Sequence, residues 1–214
     1  MQRGFAKSDY YPLNGAVVSA DQANDSDLIN SYKLGNHDSF NVLLMKYGSR
    51  VYHHCRRIVD DEAECADLTQ EVFLKVFRKL DSYEHTYSFY TWLYRVTVNC
   101  CIDHMRKRRR RISEVTLTQT DFGEFSDGEL EHEIPDETFC PQERLLTKEL
   151  SEVLAGAMAK LPARLRSYII LKDIEGFTYN EIAEVYDCST GTIKSALFNA
   201  RQKLKQYMTP FVEN

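Results

Sequence analysis

Apolar residues recur every three or four positions from about residue 25 onward, a spacing that predicts amphipathic helices. Leu28, Ile29 and Tyr32 mark a first helix, and the spacing resumes at Phe40 after a Gly35-Asn36 turn. No segment alternates apolar and polar residues in the manner of a strand. The pattern therefore predicts an all-α fold.

Breaks in this pattern divide the chain into four segments. A third helix is predicted over about residues 61–80, and a fourth from Tyr87 through the basic run 106–111. The next stretch is rich in acids and contains Gly and Pro, so it cannot drive burial and is predicted to be a flexible linker. The predicted segments are a flexible tail at 1–24, a helical domain at 25–111, the linker at 112–143 and a second helical domain at 144–210.

The net charge of −5 conceals an uneven distribution of charge. Residues 106–111 form an unbroken basic run, residues 112–143 contain neither Lys nor Arg, and the chain is basic again after Cys188. Two basic zones separated by an acidic one indicate two contacts with a polyanion. The average charge alone would have argued against nucleic-acid binding.

Other compositional features argue against a metal site, a membrane span or a secretory leader. The six cysteines include no Cys-x-x-Cys pair, and although His53, His54, Cys55 and Cys65 are close in sequence, their spacing fits no common zinc site. No apolar run is long enough to span a bilayer, and the N-terminus lacks the layout of a signal peptide. We therefore expect a cytoplasmic protein with no metal and no cofactor.

The strongest local signal is a helix-turn-helix over about residues 179–198. Thr178 and Glu181 have the spacing of a capping box, and Ser189 can cap a second helix after a break at Asp187-Cys188. That second helix carries donors and small hydroxyls but no carboxylate on its polar side, as a helix in the major groove requires. A solvated helix pair is the alternative. The predicted DNA contacts are Ser189, Thr190, Thr192, Lys194, Ser195, Phe198, Asn199, Arg201 and Gln202.

A second candidate DNA-binding surface begins in the polar loop before the fourth helix. Aromatic residues are concentrated at the start of this helix, and cations follow them, which is the arrangement of a platform for unpaired bases. Asn99 is placed to hydrogen-bond an extruded base. A tyrosine-rich core helix with a solvated basic end is the alternative. The candidate residues are Tyr83, Glu84, His85, Tyr87, Tyr90, Trp92, Arg95, Asn99, Arg106 and Arg108.

The third helix has a polar side whose N-terminal half is acidic. Negative charge there suits a protein partner better than DNA, although a plain solvated helix face explains the residues equally well. The candidate partner-binding residues are Asp67, Gln70, Glu71, Lys75 and Arg78.

These motifs together resemble the extracytoplasmic-function sigma factors of bacterial RNA polymerase, and most closely their sigma-E group. Residues 67–78 (DLTQEVFLKVFR) resemble the core-polymerase-binding helix, and residues 89–99 (FYTWLYRVTVN) the helix that melts and reads the −10 element. Residues 161–204, with Gly191 to Ser195, resemble the domain that binds the −35 element. The resemblance covers about residues 25–111 and 140–207 in the expected order.

The resemblance implies a division of labour along the chain. The helix at 67–80 would dock on core RNA polymerase, and the segment at 81–111 would capture a flipped −10 base in the loop at 83–86, assisted by Asn99. The second domain would read the −35 element of promoter DNA, and the linker would thread toward the RNA exit path. The family is commonly held inactive by an anti-sigma factor, often membrane-anchored. No small-molecule substrate is implied.

The sequence departs from the family at the −35 helix. Many members have Pro before this helix and two Arg within it, where this chain has Ser189, Lys194 and Ala196. Lys offers a point charge where Arg makes a bidentate contact to guanine, so the −35 sequence is left open.

Two other classes of function compete with this interpretation. An operator-binding activator or repressor would use the same helix-turn-helix, but the N-terminal half shows no sensor fold. An enzyme acting on nucleic acid would need clustered carboxylates, a metal triad or an activated nucleophile, and the sequence has none of these at motif spacing. We therefore expect a transcription factor without catalysis of its own.

Overall fold

A computed structural model describes residues 10–13, 16–19, 23–59, 61–118 and 141–212, and the side chains within 23–59, 61–111 and 150–209. In this part of the chain the structure consists of a short hairpin followed by helices. Two strands, β1 (Tyr10–Leu13) and β2 (Ala16–Ser19), precede α1 (Asp25–Lys33), α2 (Asp38–Arg56), α3 (Glu62–Lys79), α4 (Phe89–Thr118), α5 (Pro141–Lys160), α6 (Ala163–Ile169), α7 (Tyr179–Tyr186) and α8 (Thr190–Val212).

The helices α1 to α4 form the N-terminal domain around one apolar core. Side-chain oxygens start two of the helices: Asn24 accepts from the Ser26 amide and Asp61 from the Glu64 amide. Gly35 follows the end of α1 and has a φ of 98°, a backbone conformation that favours glycine. The fully buried side chains at the centre include Leu28, Leu43, Leu68 and Leu93. The periodicity thus predicted these helices correctly.

The hairpin in the N-terminal segment is a feature that the sequence analysis missed. β1 and β2 pair antiparallel, with Tyr10 opposite Ser19 and Leu13 opposite Ala16. The segment was predicted to be a flexible tail because it lacks helical periodicity. Its sequence nevertheless contains the strongest short hairpin signal, Asn14-Gly15 between residues of high strand propensity. The two domains are helical as predicted.

The helix α4 differs from the prediction at both ends. It begins at Phe89 rather than Tyr87, because the Ser88 hydroxyl accepts from the Thr91 amide at 3.1 Å and caps the first turn. It continues to Thr118, into the predicted linker, and neither Gly nor Pro interrupts the sequence before Gly123. At the other side, α5 begins at Pro141, a residue suited to a first helical turn. The rest of the linker, 119–140, lies outside the described residues.

The helices α5 to α8 form the C-terminal domain, and they contain the predicted helix-turn-helix. The capping box is present: Thr178 accepts from the Glu181 amide, and the Glu181 carboxylate accepts from the Thr178 amide at 2.8 Å. α7 ends at Tyr186 and is followed by its C-cap Asp187, whose φ of 53° is left-handed. A π-helical segment at Ile170–Ile174 continues directly from α6. Such segments are frequent at functional positions.

The two domains share part of their cores. Tyr94 and Val98 of α4 are buried in the cluster that also holds Phe177, Ile182 and Leu197 of the C-terminal domain. Arg166 of α6 is 4% exposed and donates to the Ile58 carbonyl at the end of α2, at 3.0 Å. The C-terminal domain therefore lies against one face of α4.

Candidate nucleic-acid interface

The predicted −35 residues lie together on the solvent side of α8. Ser189 accepts from the Thr192 amide at 3.2 Å and starts the helix, as predicted. Ile193, Leu197 and Ala200 anchor the opposite side, each no more than 1% exposed. The exposed residues are Ser189, Thr192, Lys194, Ser195, Phe198, Asn199, Arg201 and Gln202, while Thr190 is half-buried. Phe198 is 62% exposed, so it contributes little to the core of the domain.

Two cations beside this face are oriented by neighbours within the domain. Arg201 makes a two-point ion pair with Asp173, at 2.5 and 3.2 Å, and this pairing raises the pKa of its guanidinium. Lys194 lies 5.7 Å from the centre of the Tyr179 ring. Arg201 thus has a carboxylate partner in this structure, a contact that the sequence did not indicate.

The loop before α4 encloses an open cleft of about 550 Å³. Its walls come from the loop residues His85 to Ser88, the start of α1 at residues 24–26, Thr91 of α4, and Glu181 and Glu184 of α7. His85 has a left-handed φ of 54°, a conformation that is uncommon outside glycine but that His adopts more readily than most residues. The cleft lies where the sequence analysis expected base capture.

Tyr83 is buried beneath this loop and supports it. Its ring is 5% exposed and packs against Trp92, with ring centres 5.2 Å apart. Its hydroxyl donates to the Tyr87 carbonyl at 2.5 Å, and Lys33 donates to the Tyr83 carbonyl at 2.6 Å. Tyr83 therefore shapes the loop from beneath, whereas Glu84, His85 and Tyr87 remain exposed.

Asn99 is exposed on α4 but is distant from the cleft. Eight residues separate it from Thr91, which corresponds to about 12 Å along a helix axis. The sequence analysis expected Asn99 to assist the capture of a base in this loop, and the structure places it well away from the cleft residues on the same helix. Of the cations farther along, Arg106 pairs with Asp103 at 3.2 Å and Arg108 with Glu64 at 3.6 Å.

The tyrosines of α4 are covered by the C-terminal domain. Tyr94 is fully buried, and its hydroxyl donates to Glu175 at 3.0 Å. Tyr90 stacks on Phe177, with ring centres 5.0 Å apart and planes 20° from parallel. Arg95 pairs with Asp187 at 3.3 Å, and Trp92 is half-buried. In this arrangement Tyr90 is not open to an unpaired base.

The predicted polymerase-binding residues form a continuous stripe along α3. Asp67, Gln70, Glu71 and Arg78 are exposed, and the half-buried Lys75 pairs with Glu71 at 2.7 Å. Sequence reasoning missed Leu74, which is 54% exposed in the middle of the stripe. The signal was its position three or four residues from both Gln70 and Arg78, which puts it on their face rather than in the core.

A half-buried carboxylate, Glu175, joins the two domains at the base of this site. It accepts from Arg57 at 2.9 Å and from Tyr94, and lies 3.9 Å from Nδ1 of the buried His54. Burial lowers the pKa of His54, and Glu175 only partly offsets this effect. Burial alone would raise the pKa of Glu175, but His54, Tyr94 and Arg57 together lower it.

We expect this arrangement to make the protein less stable below pH 6.5. His54 binds a proton more weakly folded than unfolded, so the free energy of unfolding falls as the pH drops below the usual histidine pKa near 6.5. The slope is at most about 1.4 kcal/mol per pH unit. Glu175 contributes a further loss of stability only below about pH 4.5, the usual pKa of a glutamate. Its pKa in the folded protein is lower than this value, so an unfolded chain takes up the proton first.

Urea unfolding at pH 7.5, 6.5 and 5.5 measures this dependence. His54→Leu should flatten the curve, because neither ring nitrogen of His54 has a hydrogen-bond partner among the described residues and an apolar side chain suits the site. The matched control is His53→Leu, since His53 is exposed on the same helix. Equal pH dependence in wild type and His54→Leu would contradict the assignment.

Comparison with known proteins agrees with this geometry. Residues 43–111 match the family model of sigma-70 region 2, and residues 151–204 match that of sigma-70 region 4. The RNA polymerase sigma-H factor of Pseudomonas aeruginosa is 31% identical over 191 residues, covering 89% of this chain and 97% of that protein. The ECF RNA polymerase sigma-E factor of Escherichia coli K12 is 31% identical over 193 residues, covering 90% and 98%.

The chain is a sigma factor of the sigma-70 family, of the extracytoplasmic-function type. It is thus a transcription initiation factor that binds core RNA polymerase and promoter DNA. Among solved structures, the sigma factor RpoE of Bartonella quintana, in complex with the anti-sigma factor NepR, has the same fold, with a TM-score of 0.59 and 23% identity over 80% of this chain and 98% of that one. CnrH, in complex with the cytosolic domain of CnrY, has a TM-score of 0.59 and 21% identity over 89% and 98%.

In the part of the sigma factor that the structure describes, no three His, Cys, Asp or Glu side chains converge as metal ligands. None of the described helices has the length and apolar character needed to cross a bilayer.

Proposed function

We propose that this sigma factor reads the −35 element with the solvent face of α8. The observation that carries the proposal is the exposed set Thr192 to Gln202, which offers hydroxyls, an amide and cations without a carboxylate on a rigid, capped helix. Side chains near the helix start meet base edges in the major groove, and cations farther along meet phosphates. Lys194 carries a point charge, so it suits the acceptor atoms of guanine but does not make the bidentate contact that Arg makes.

The −10 element is read by the loop and the first half of α4. The cleft bounded by His85 to Ser88 takes an unpaired base of the non-template strand, and Asn99 hydrogen-bonds a second nucleotide farther along α4. Base unstacking costs a few kcal/mol, which contacts in the cleft and stacking on the aromatic residues offset. Melting in this scheme requires no catalysis by the sigma factor.

Two protein partners complete the proposal. The α3 stripe from Asp67 to Arg78 docks on core RNA polymerase in the cytoplasm. An anti-sigma factor controls the protein. The fold that it shares with the sigma factor RpoE, which was solved in complex with the anti-sigma factor NepR, supports this. The segment 119–140 connects the helices α4 and α5 of the two DNA-reading domains.

Run-off transcription with purified core polymerase on a promoter library tests the proposal. Initiation should depend on the sigma factor, and Asn99→Ala should reduce open-complex formation about tenfold or more, the usual loss for one base contact of about 1–3 kcal/mol. Affinity for core polymerase should not change, since Asn99 lies on a different helix from the α3 stripe. The control is Asn30→Ala, an exposed asparagine in α1.

Two results would contradict the proposal. Core polymerase that ignores the protein, while the protein alone binds duplex operators tightly, would identify an operator-binding regulator. Full promoter melting by Asn99→Ala would remove Asn99 from the −10 surface.

A further inference from the structure

Two buried cysteines from different helices are in contact in the core of the N-terminal domain. The Cys101 thiol of α4 donates to the sulfur of Cys55 in α2, and the two sulfur atoms are 3.7 Å apart. Both side chains are 0% exposed and carry free thiols. A disulfide places its sulfurs about 2.05 Å apart, so a closure of less than about 2 Å would join α2 to α4 covalently.

The other two cysteines of this core are held by different contacts. Cys65 donates to the Val59 carbonyl at 3.1 Å, and Cys100 accepts from Lys75 at 3.3 Å. Cys100 is poorly placed to pair with its neighbour Cys101, because successive side chains on a helix diverge by about 100°. Adjacent α-carbons are also only about 3.8 Å apart, which is shorter than a disulfide usually spans. The geometry therefore singles out the pair that joins α2 to α4.

We propose that Cys55 and Cys101 are a redox switch, which closes to a disulfide when the sigma factor meets a hydroperoxide. The hydrogen bond from Cys101 lowers the pKa of Cys55, although burial opposes this effect, so Cys55 is the sulfur that reacts first. Its thiolate attacks the peroxide: an S–O bond forms, the O–O bond breaks, and the leaving oxygen departs as water or an alcohol with the thiol proton.

The second step closes the disulfide. Cys101 attacks the sulfur of Cys55, so that the S–S bond forms, the S–O bond breaks, and water leaves with the second thiol proton. Two thiols are thereby oxidised by two electrons while one peroxide is reduced. A dithiol such as dithiothreitol reverses the reaction by exchange.

The disulfide restrains the cleft beside the loop before α4, because the walls of this cleft are carried by the two helices that it joins. One wall, at the start of α1, is attached to α2, since Asp25 accepts from Lys46 at 2.7 Å and from Tyr47 at 2.6 Å. Thr91 of α4 belongs to the opposite wall. An extruded base needs room to enter such a pocket. Oxidation therefore slows promoter opening, a consequence that rests on the proposed function of the cleft.

Counting thiols in the full chain tests the chemistry. In a background carrying Cys140→Ala and Cys188→Ala, only the four core cysteines remain of the six. The protein is treated with hydrogen peroxide, freed of it with catalase, alkylated with N-ethylmaleimide in guanidinium and weighed by mass spectrometry. The number of alkylated thiols should fall from four to two and return to four with dithiothreitol. Peptide mapping should recover a cross-link between Cys55 and Cys101.

Two single variants of this background show which sulfurs are used. Cys101→Ala should give no cross-linked peptide. Cys100→Ala, which alters the adjacent buried cysteine of the same helix, is the matched control and should still lose two thiols. Core thiols that stay free under conditions that oxidise the half-buried Cys188 of the wild-type chain overturn the inference, and so does a cross-link through another cysteine.

Run-off transcription tests the consequence of the disulfide. The sigma factor is oxidised and freed of peroxide before it is mixed with core polymerase, on a promoter selected from the library. The oxidised background protein should initiate about fivefold more slowly than the reduced one, as expected when a binding pocket cannot adjust, and dithiothreitol should restore the rate. Cys101→Ala should initiate at the same rate with and without peroxide treatment.

A failure of the switch differs from a failure of the proposed function. A cross-linked protein that initiates as fast as the reduced one contradicts the switch and leaves the proposed function intact. A reduced protein that initiates at no promoter contradicts the proposed function, while the thiol count still reports whether the disulfide forms.

Discussion

Replacing Arg166 by alanine is expected to lower the free energy of unfolding by about 2–4 kcal/mol, the range for breaking a buried polar network. The guanidinium is 4% exposed and donates to carbonyl oxygens of Ala159, Leu161 and Ile58. Alanine would leave these acceptors without their donor and open a cavity between α5, α6 and the end of α2. Both effects add to the loss.

Thermal unfolding followed by circular dichroism measures this loss. For a protein of this size each kcal/mol lowers Tm by about 2–4 °C, so a decrease of about 5–15 °C is expected. Arg166→Met keeps most of the apolar volume and should recover only part of the stability, because the carbonyls stay unpaired. Lys160→Ala, an exposed cation nearby, is the control. A Tm for Arg166→Ala equal to that of the control would show that the carbonyls are satisfied in another way.

The helices could be predicted from the sequence because their signals are local. Leu28, Ile29 and Tyr32 repeat within one turn of each other, and Thr178 with Glu181 specifies the start of α7 through adjacent backbone groups. The hairpin was missed although its signal, Asn14-Gly15, is equally local. Its two strands have only four residues each, which is too short for an alternation of apolar and polar residues to stand out.

The candidate site could be predicted only in part, because the rest depends on contacts between distant segments. The exposed face of α8 follows from the helical period, since Ile193, Leu197 and Ala200 fix the buried side. The helical period does not show that Tyr90 and Tyr94 are covered by the C-terminal domain. Their partners, Phe177 and Glu175, are about eighty residues away, and an aromatic residue suits both a core and a stacking platform.

The polymerase-binding stripe was predicted through its charged residues, yet its apolar member carries the sharpest test. Leu74 is 54% exposed between Gln70 and Arg78 in a helix whose other leucine, Leu68, is buried. A large apolar side chain held in solvent by a rigid helix, with polar residues around it, matches the apolar centre and polar rim of a protein interface. We therefore expect Leu74 to be the anchor of the contact with core polymerase.

Leu74→Asp should weaken binding to core RNA polymerase by about 30-fold or more, which corresponds to the loss of about 2 kcal/mol typical of a hot spot. The variant should fold normally, because the side chain contributes little to the core. Interferometry with immobilised core polymerase measures the affinity, and circular dichroism checks the fold. Leu34→Asp, at a side chain 90% exposed outside the stripe, is the matched control.

The dissociation rate from core polymerase and the Leu34→Asp control both test whether Leu74 is an anchor. A central anchor contributes mainly to the lifetime of a complex, so the dissociation rate should increase more than the association rate decreases. Leu34→Asp adds the same negative charge to the same domain, so it corrects for a general electrostatic effect. If both variants bind core polymerase equally well, the α3 stripe is a solvated helix face and the docking surface lies elsewhere on the N-terminal domain.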